Sequence, residues 1–456
     1  MCDFSRYQDV IGQLPLLKSY SHLCLSFPIE DSSPRDEIAN KLQAAALKLT
    51  TAIPLLAGKV INQGRGPGNS GHFKAVPCSL WTSPNTIVRF KDCSDVCPSH
   101  DELVKAKGPV TMLGGDILCP RKAFPASYEE TDSDPAPVVA IQANFIKGGL
   151  LLDCAAQHNM IDMSGIEQVL RLLATLMRGE EIPPLAIEQG NRDRRNMIPL
   201  LKSTEPLRDH SHLRRAKPGE KQTALVEPDS PYRWCNFRFS SASQARLKAL
   251  ASKPSEHNSA VSFISTNDAL SAFCWQRIIT ARQHRRRSPT TISKFCRAVD
   301  CRRALGVPKE YMGHMVQIAT SYLTFQELET LPLAAVASVL RESVNDVNNE
   351  YTVRSWTTLI ANEPDKSTIV FGGKFNPDTD VGSSSWAHVN LCREEFGTLG
   401  KPSLIRRPNF IPLRSDVYFL PHTEAGDIDA LVCVNELDFE ALTVDGEWNT
   451  YTEYIG

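Results

Sequence analysis

His158 and Asp162 have the types and spacing to do chemistry. They lie in Leu150-Leu151-Leu152-Asp153-Cys154-Ala155-Ala156-Gln157-His158-Asn159-Met160-Ile161-Asp162, where a short apolar strand runs into a histidine with an aspartate four residues later. A strand end is rigid and the loop after it meets ligands, so an imidazole there can be held at a fixed place in a cleft. Neutral imidazole has the right basicity near pH 7 to draw a proton from a hydroxyl or an amine. His-x-x-x-Asp also arises by chance in many proteins, and taken alone it reads more often as an ordinary core or surface histidine.

The elements around the pair are legible. Ser164-Gly165-Ile166-Glu167 has the Ser-x-x-Glu spacing of a capping box, and Ile166, Val169, Leu170, Leu173, Leu176 and Met177 recur at helical intervals. A strand, a tight loop and an amphipathic helix are therefore predicted in that order. Upstream, Val138 to Phe145 reads as a strand, and Lys147-Gly148-Gly149 turns it back into the histidine-bearing one. Ser21 to Phe27 reads as the first strand. Ser33-Pro34-Arg35-Asp36 then opens a helix with a serine cap and proline at its first position, burying Ile38, Leu42, Ala45 and Leu49 and ending before Pro54. Gly64 to Gly71 is glycine-rich enough to cradle a phosphate. No capped amphipathic helix follows it, and Phe73 to Val76 reads as a returning strand, so a hairpin connection is predicted.

Residues 188–232 are dense in Arg, Lys, Asp and Pro without periodicity, which predicts a crossover between domains at 1–187 and 233–456. Beyond it, Cys235 to Phe239 alternates like a strand, Ser241 to Ser252 reads as a helix, and Ser265 caps a helix reaching Arg282. Acidic Ala126 to Pro137 and the basic run Arg285-Arg286-Arg287 read as solvated loops.

A chain of 456 residues exceeds one ordinary core, which again points to two domains. The formal net charge of -2 supplies no field to attract nucleic acid or an anionic membrane, and neither is an expected partner. Met1 to Arg6 lacks the basic start and apolar run of a secretory signal, and no later segment approaches ~18 uninterrupted apolar residues. A cytoplasmic chain is expected. The 13 cysteines are odd in number and lack Cys-x-x-Cys pairs; Cys93 and Cys97 have no histidine at zinc-ligand spacing, so reduced thiols and no metal are expected.

Four segments in order carry a family resemblance: His158 to Asp162, Val299-Asp300-Cys301-Arg302, Ser384-Ser385-Trp386, and Glu395-Phe396-Gly397-Thr398-Leu399-Gly400-Lys401-Pro402. With these, the chain resembles the acyl-CoA-dependent acyltransferases of the plant and fungal BAHD superfamily, most closely the fungal branch that includes trichothecene 3-O-acetyltransferase. Ile53 to Gly58 and Glu447 to Gly456 extend the resemblance over nearly the whole chain. It implies an α/β fold of two chloramphenicol-acetyltransferase-like lobes, each a mixed sheet flanked by helices, with a channel at their interface. It implies an O-acyltransferase that takes an acyl group, expected to be acetyl, from acyl-CoA and passes it to a hydroxyl of a fungal secondary metabolite such as a terpenoid or alkaloid.

In that family the histidine deprotonates the acceptor, which attacks the thioester directly, and His158 takes this role. Asp162 is implied to be structural, pairing across the domains with Arg302. Ser384 and Trp386 are implied donors to the oxyanion, a hydroxyl and an indole N–H suited to charge that exists only in the transition state. Gly397 and Gly400 belong to a structural loop at the coenzyme end. Ser252, Lys253 and Lys374 are candidates for the 3′-phosphate, which needs cationic or hydroxyl partners. No tightly bound cofactor is implied, and a monomer is expected. Glu395 replaces the usual aspartate of that loop and an extra residue precedes its second glycine. Met163 stands where glycine commonly follows the motif, and Gln157 where many members have a second histidine, which leaves acceptor preference open. An N-acyltransferase, a condensation-type catalyst using a carrier protein, and a non-catalytic binding protein of the same fold are the alternatives.

Overall fold

The computed structural model describes residues 3–30, 32–125, 131, 133–215, 230–253, 261–285 and 287–456. Arg286, parts of the acidic 126–137 loop and of the 188–232 crossover lie outside the described residues. The first half of the chain forms β1 (Tyr20–Pro28), a hairpin of β2 (Gly58–Gln63) and β3 (His72–Pro77), then β4 (Val88–Asp92), β5 (Val139–Ile146) and β6 (Gly149–Gln157). The second half forms β7 (Tyr232–Phe239), β8 (Ile292–Asp300), β9 (Val316–Thr324), β10 (Val381–Ser385), β11 (Leu404–Arg406), β12 (Asp416–Phe419), β13 (Ile428–Asn435) and β14 (Glu453–Tyr454).

Two large sheets result, one per lobe, and β2 and β3 form a separate two-stranded sheet. The first has the order β11-β1-β6-β5-β4, so the histidine-bearing β6 is central, paired antiparallel to β1 and β5. All residues of β5 and β6 are buried, which explains their nearly unbroken apolar runs. Gly148, with φ +70°, makes the turn between them, a left-handed backbone that glycine adopts without steric cost. The second sheet has the order β14-β7-β13-β12-β10-β8-β9, with β10 parallel to both of its neighbours. Each sheet is mixed, and the lobes are not independent. β11 leaves the second half to pair with β1, Cys24 opposite Arg406, and Trp386, Phe396 and Leu399 pack into the core of the first lobe.

Helix α1 (Arg35–Ala52) buries the predicted stripe, Ile38, Leu42, Ala45 and Leu49. Its cap differs from expectation: Pro34 occupies the N-cap position and no side chain caps the helix. Asp36 and Glu37 in the first turn meet the helix dipole instead. Helix α2 (Met163–Met177) follows the histidine strand, and α3 (Ser241–Ala251) and α4 (Thr266–Ala281) belong to the second lobe. The predicted Ser265 cap on α4 is present as a capping box closed by Asp268. The basic run is not a solvated loop at Arg285, which is buried in ion pairs with Asp378 and Asp438, while Arg287 reaches Asp378 at 3.9 Å. Two carboxylates brought from a distant loop (Asp378) and the first turn of a distant helix (Asp438) make the difference. Among the described residues, no helix is long and apolar enough to cross a membrane.

Candidate active site

The turn after β6 fixes His158 through its backbone. The Gln157 carbonyl accepts from the N–H groups of Met160 at 2.9 Å and Ile161 at 3.0 Å, and the His158 N–H donates to the Ser19 carbonyl at 2.8 Å. The side-chain amide of the next residue, Asn159, donates to the carbonyls of Gly12 and Leu14, tying the turn to the amino-terminal segment. The His158 ring is half-buried with its Nδ1 sealed from solvent, and it hydrogen-bonds its own backbone. Burial pushes its pKa below the usual histidine value, and the charge of Asp162 pulls it back only in part. The ring is therefore neutral at neutral pH and available as a base.

Asp162 is the N-cap of α2, accepting the Gly165 N–H at 3.0 Å. The predicted Ser164 to Glu167 capping box does not form. Asp162 sits two residues earlier in an extended conformation and reaches the free N–H first, so Ser164 falls inside the helix and its hydroxyl turns to Asp300 at 3.2 Å and His388 at 3.1 Å. Across the lobes Arg302 grips Asp162 with two bonds of 2.8 Å, and the pair is 5% and 1% exposed at its side chains. The Met315 N–H adds a third partner to this carboxylate at 3.0 Å. Burial opposes ionisation of Asp162, but the Arg302 guanidinium outweighs it and holds the pKa at about 2. A carboxylate so committed cannot relay protons from His158.

Arg302 also donates to the carbonyls of Tyr311 and Gly313 and to Asp300. The turn it grips carries His314, whose ring centroid lies 4.8 Å from that of His158. No sequence signal marks His314: Gly313-His314-Met315 has no motif or periodicity, and its neighbour His158 is 156 positions away.

Ser384 and Trp386 come together at the end of β10. The Trp386 indole N–H donates to the Ser384 hydroxyl at 3.2 Å, and the indole packs edge-on against Tyr418. Their segment is moored to the start of α2 by the Ser164–His388 contact and by the Asn390 N–H, which donates to Glu167 at 3.1 Å. The indole N–H is thus engaged by the serine hydroxyl.

Gly397 and Gly400 lie at the opposite end of α2. A Cβ on Gly397 would come within 2.3 Å of the Met177 carbonyl, and both glycines have positive φ, so the loop needs them to close over the helix end. Glu394 receives Arg171 at 2.6 Å and Arg178 at 2.8 Å, clamping the loop there. With α2 at ~1.5 Å per residue, this clamp is roughly 20 Å from Asp162. The coenzyme candidates are not gathered in one place. Ser252 caps the C-terminus of α3 with its hydroxyl buried and unpartnered, and Lys253 follows it. Lys374 lines a cavity of about 500 Å³ with Arg214, Arg215 and Lys294. Cys154, four residues before His158, is fully buried, and burial raises its thiol far above the ordinary value.

Comparison with known proteins places these features in a family. Residues 19–176 match the trichothecene 3-O-acetyltransferase-like N-terminal domain, and residues 121–448 match the Transferase family. The chain is 50% identical over 457 residues to the O-acyltransferase pigD of Monascus ruber, covering 100% of both chains. It is 46% identical over 456 residues to the O-acetyltransferase epaC of Aspergillus niger, covering 100% of this chain and 98% of the other. Its fold matches F. graminearum TRI101 complexed with coenzyme A and deoxynivalenol at a TM-score of 0.90 and 32% identity, over 98% and 99% of the two chains.

Proposed function

The chain belongs to the Transferase family and is an acyltransferase, and from that premise we propose that it moves an acetyl group from acetyl-CoA to a hydroxyl of a fungal secondary metabolite. The observation that carries this reading is the state of His158: a neutral imidazole at a rigid strand end, with the neighbouring Asp162 carboxylate consumed by Arg302. Such a group is a base for an acceptor hydroxyl and needs no acyl-enzyme. TRI101 was solved holding coenzyme A and deoxynivalenol together, which supports a donor and an acceptor meeting on one fold.

In this mechanism His158 removes the hydroxyl proton as the acceptor oxygen bonds to the thioester carbonyl carbon. The carbonyl π electrons move to oxygen, where the Ser384 O–H, oriented by the Trp386 indole, donates to the oxyanion. The intermediate then collapses, the C–S bond breaks, and the leaving thiolate of coenzyme A takes the proton from His158. General base catalysis supplies ~10² to 10⁴ in rate, and one oxyanion donor a further ~10² to 10³. Asp162 and Arg302 hold the two lobes in register around these groups. Ser252, Lys253 and Lys374 remain the proposed contacts of the coenzyme phosphates, and residues 1–187 and 233–456 supply the bulk of the first and second lobes, with β11 passing from the second segment into the first sheet.

The test is His158→Ala. The variant should fold and bind acetyl-CoA as the parent does while losing at least ~10² in turnover. Retention of more than about a tenth of kcat on a substrate the parent acetylates would remove His158 from this role. A product gaining one acetyl group from free acetyl-CoA also separates this enzyme from one that requires a carrier protein.

A further inference from the structure

β10 and β12 run parallel, with Gly382 opposite Asp416 and Ser384 opposite Tyr418. Side chains alternate between the two faces of a strand, and opposite residues share a face. Val381, Val417 and Phe419 enter the core of the second lobe, so Gly382, Ser384, Asp416 and Tyr418 line the other face. That face looks to the first lobe, because Tyr418 packs against the core of the first lobe and Trp386 lies within it. Asp416 therefore shares an interlobe wall with Ser384, one strand across and two residues along, ~7 to 8 Å away.

Nothing in the packing of this wall calls for an aspartate. The Asp416 side chain is half-buried, and its carboxyl makes no hydrogen bond among the described residues. One of its oxygens lies over Gly382, where a Cβ would collide with it, so the glycine makes the room that the carboxyl occupies. Rings surround it. Tyr418 meets Trp386 at 5.2 Å and Trp234 at 5.6 Å, and the Phe375 Cζ lies 3.8 Å from the place of that Cβ. The cation facing Asp416 is Arg407, whose guanidinium stands 5.1 Å over the Tyr418 ring; Tyr418, Cys296 and Cys433 are the other titratable groups near it. Burial raises the Asp416 pKa to about 7, and Arg407 pulls it back only in part. Such a carboxyl donates a hydrogen bond when protonated and accepts one when ionised. A carboxyl left unpaired in a cleft costs stability, and a function that uses it explains its presence.

We propose that Asp416 determines acceptor specificity, hydrogen-bonding a second oxygen of the acceptor, a hydroxyl or a ketone, ~7 to 8 Å from the hydroxyl that is acetylated. The inference rests on the reading of His158 and Ser384 as the place of acyl transfer. An aromatic wall with one polar group suits an apolar compound oriented by one oxygen function. The coenzyme is the poorer occupant, because an ionised carboxyl repels its phosphates.

The test uses two probe alcohols, hexan-1-ol and hexane-1,6-diol, the second offering an oxygen near that distance, with acetyl-CoA as donor. The parent should favour the diol per hydroxyl by about tenfold in kcat/KM, the value of one hydrogen bond. Asp416→Leu should abolish or invert that preference. Asp416→Asn keeps a donor and an acceptor at the same place and should retain most of it, with KM for acetyl-CoA unchanged in both variants. A merely structural role for Asp416 would lower the rates on both alcohols together and leave their ratio alone. An unchanged ratio in Asp416→Leu overturns the proposal, as does a rise in KM for acetyl-CoA with the ratio intact, which would place Asp416 against the coenzyme. A parent that treats the two alcohols alike overturns it whether or not the variants fold. Absence of acetyl transfer to either alcohol by the parent, or transfer that survives His158→Ala, marks failure of the underlying reading of the site.

Discussion

Removing either partner of the Asp162–Arg302 pair should cost far more than removing a surface ion pair, and removing both should cost much less than the sum. Stranding one member of a buried pair costs ~3 to 5 kcal/mol, and the local bonds decide where in that range each variant falls. In Arg302→Ala the Asp162 carboxylate keeps the N–H donors of Gly165 and Met315, so the loss should sit near the low end, about 3 kcal/mol. In Asp162→Ala the guanidinium keeps Asp300 and two carbonyls, but α2 also loses its N-cap, a further ~1 kcal/mol, giving about 4 to 5 kcal/mol. The double variant strands no charge. It should fall short of the summed losses by about 2 to 3 kcal/mol, the coupling of a directly bonded buried pair. Urea unfolding of the four proteins measures this through their midpoints, provided the slopes agree and a single transition is seen. Additive losses within about 0.5 kcal/mol would refute the pairing.

The remaining expectations concern pH, the oxyanion and the covalent course. Because the Asp162 pKa is depressed from 3.8 to about 2, the pair's contribution to stability is complete above the unfolded value and is lost as pH falls through that window; the same cycle run near pH 2.5 should give a smaller coupling, and an unchanged one would mean the carboxylate is not the group that pairs. The acid limb of kcat/KM should lie below 6.5, since burial lowers the His158 pKa and protonation abolishes the base; a limb above 6.5 contradicts that assignment. Ser384→Ala should lower kcat by ~10² with little change in KM for acetyl-CoA, and Trp386→Phe should lower it less, because the indole acts through the serine hydroxyl; a larger effect from Trp386→Phe would make the indole the direct donor. Incubation with acetyl-CoA alone should leave the intact mass unchanged, because Cys154 is buried with its thiol held protonated; a stoichiometric acetyl adduct that chases into product would overturn direct attack.

Local pattern alone determined a large part of this protein. The apolar run of β6, the glycine turn before it and the helical spacing of Ile166 to Met177 are short-range effects, since burial on both faces of a strand or on one face of a helix leaves its period in the sequence. His158 was legible for the same reason, standing where that pattern breaks. The Ser265 cap was legible because its partner Asp268 is three residues away. The rest depended on which distant groups arrive first. Both Asp162 and Ser164 could cap α2, and only the position of the turn beneath β6 gives the free N–H to Asp162 and sends the Ser164 hydroxyl to Asp300 and His388. The Arg285 side chain became part of the interior because Asp378 and Asp438 are delivered to it from elsewhere in the chain. His314 reaches His158 only because Arg302 and Asp162 close the two lobes on each other, a contact between residues too far apart in the chain for any local periodicity to record.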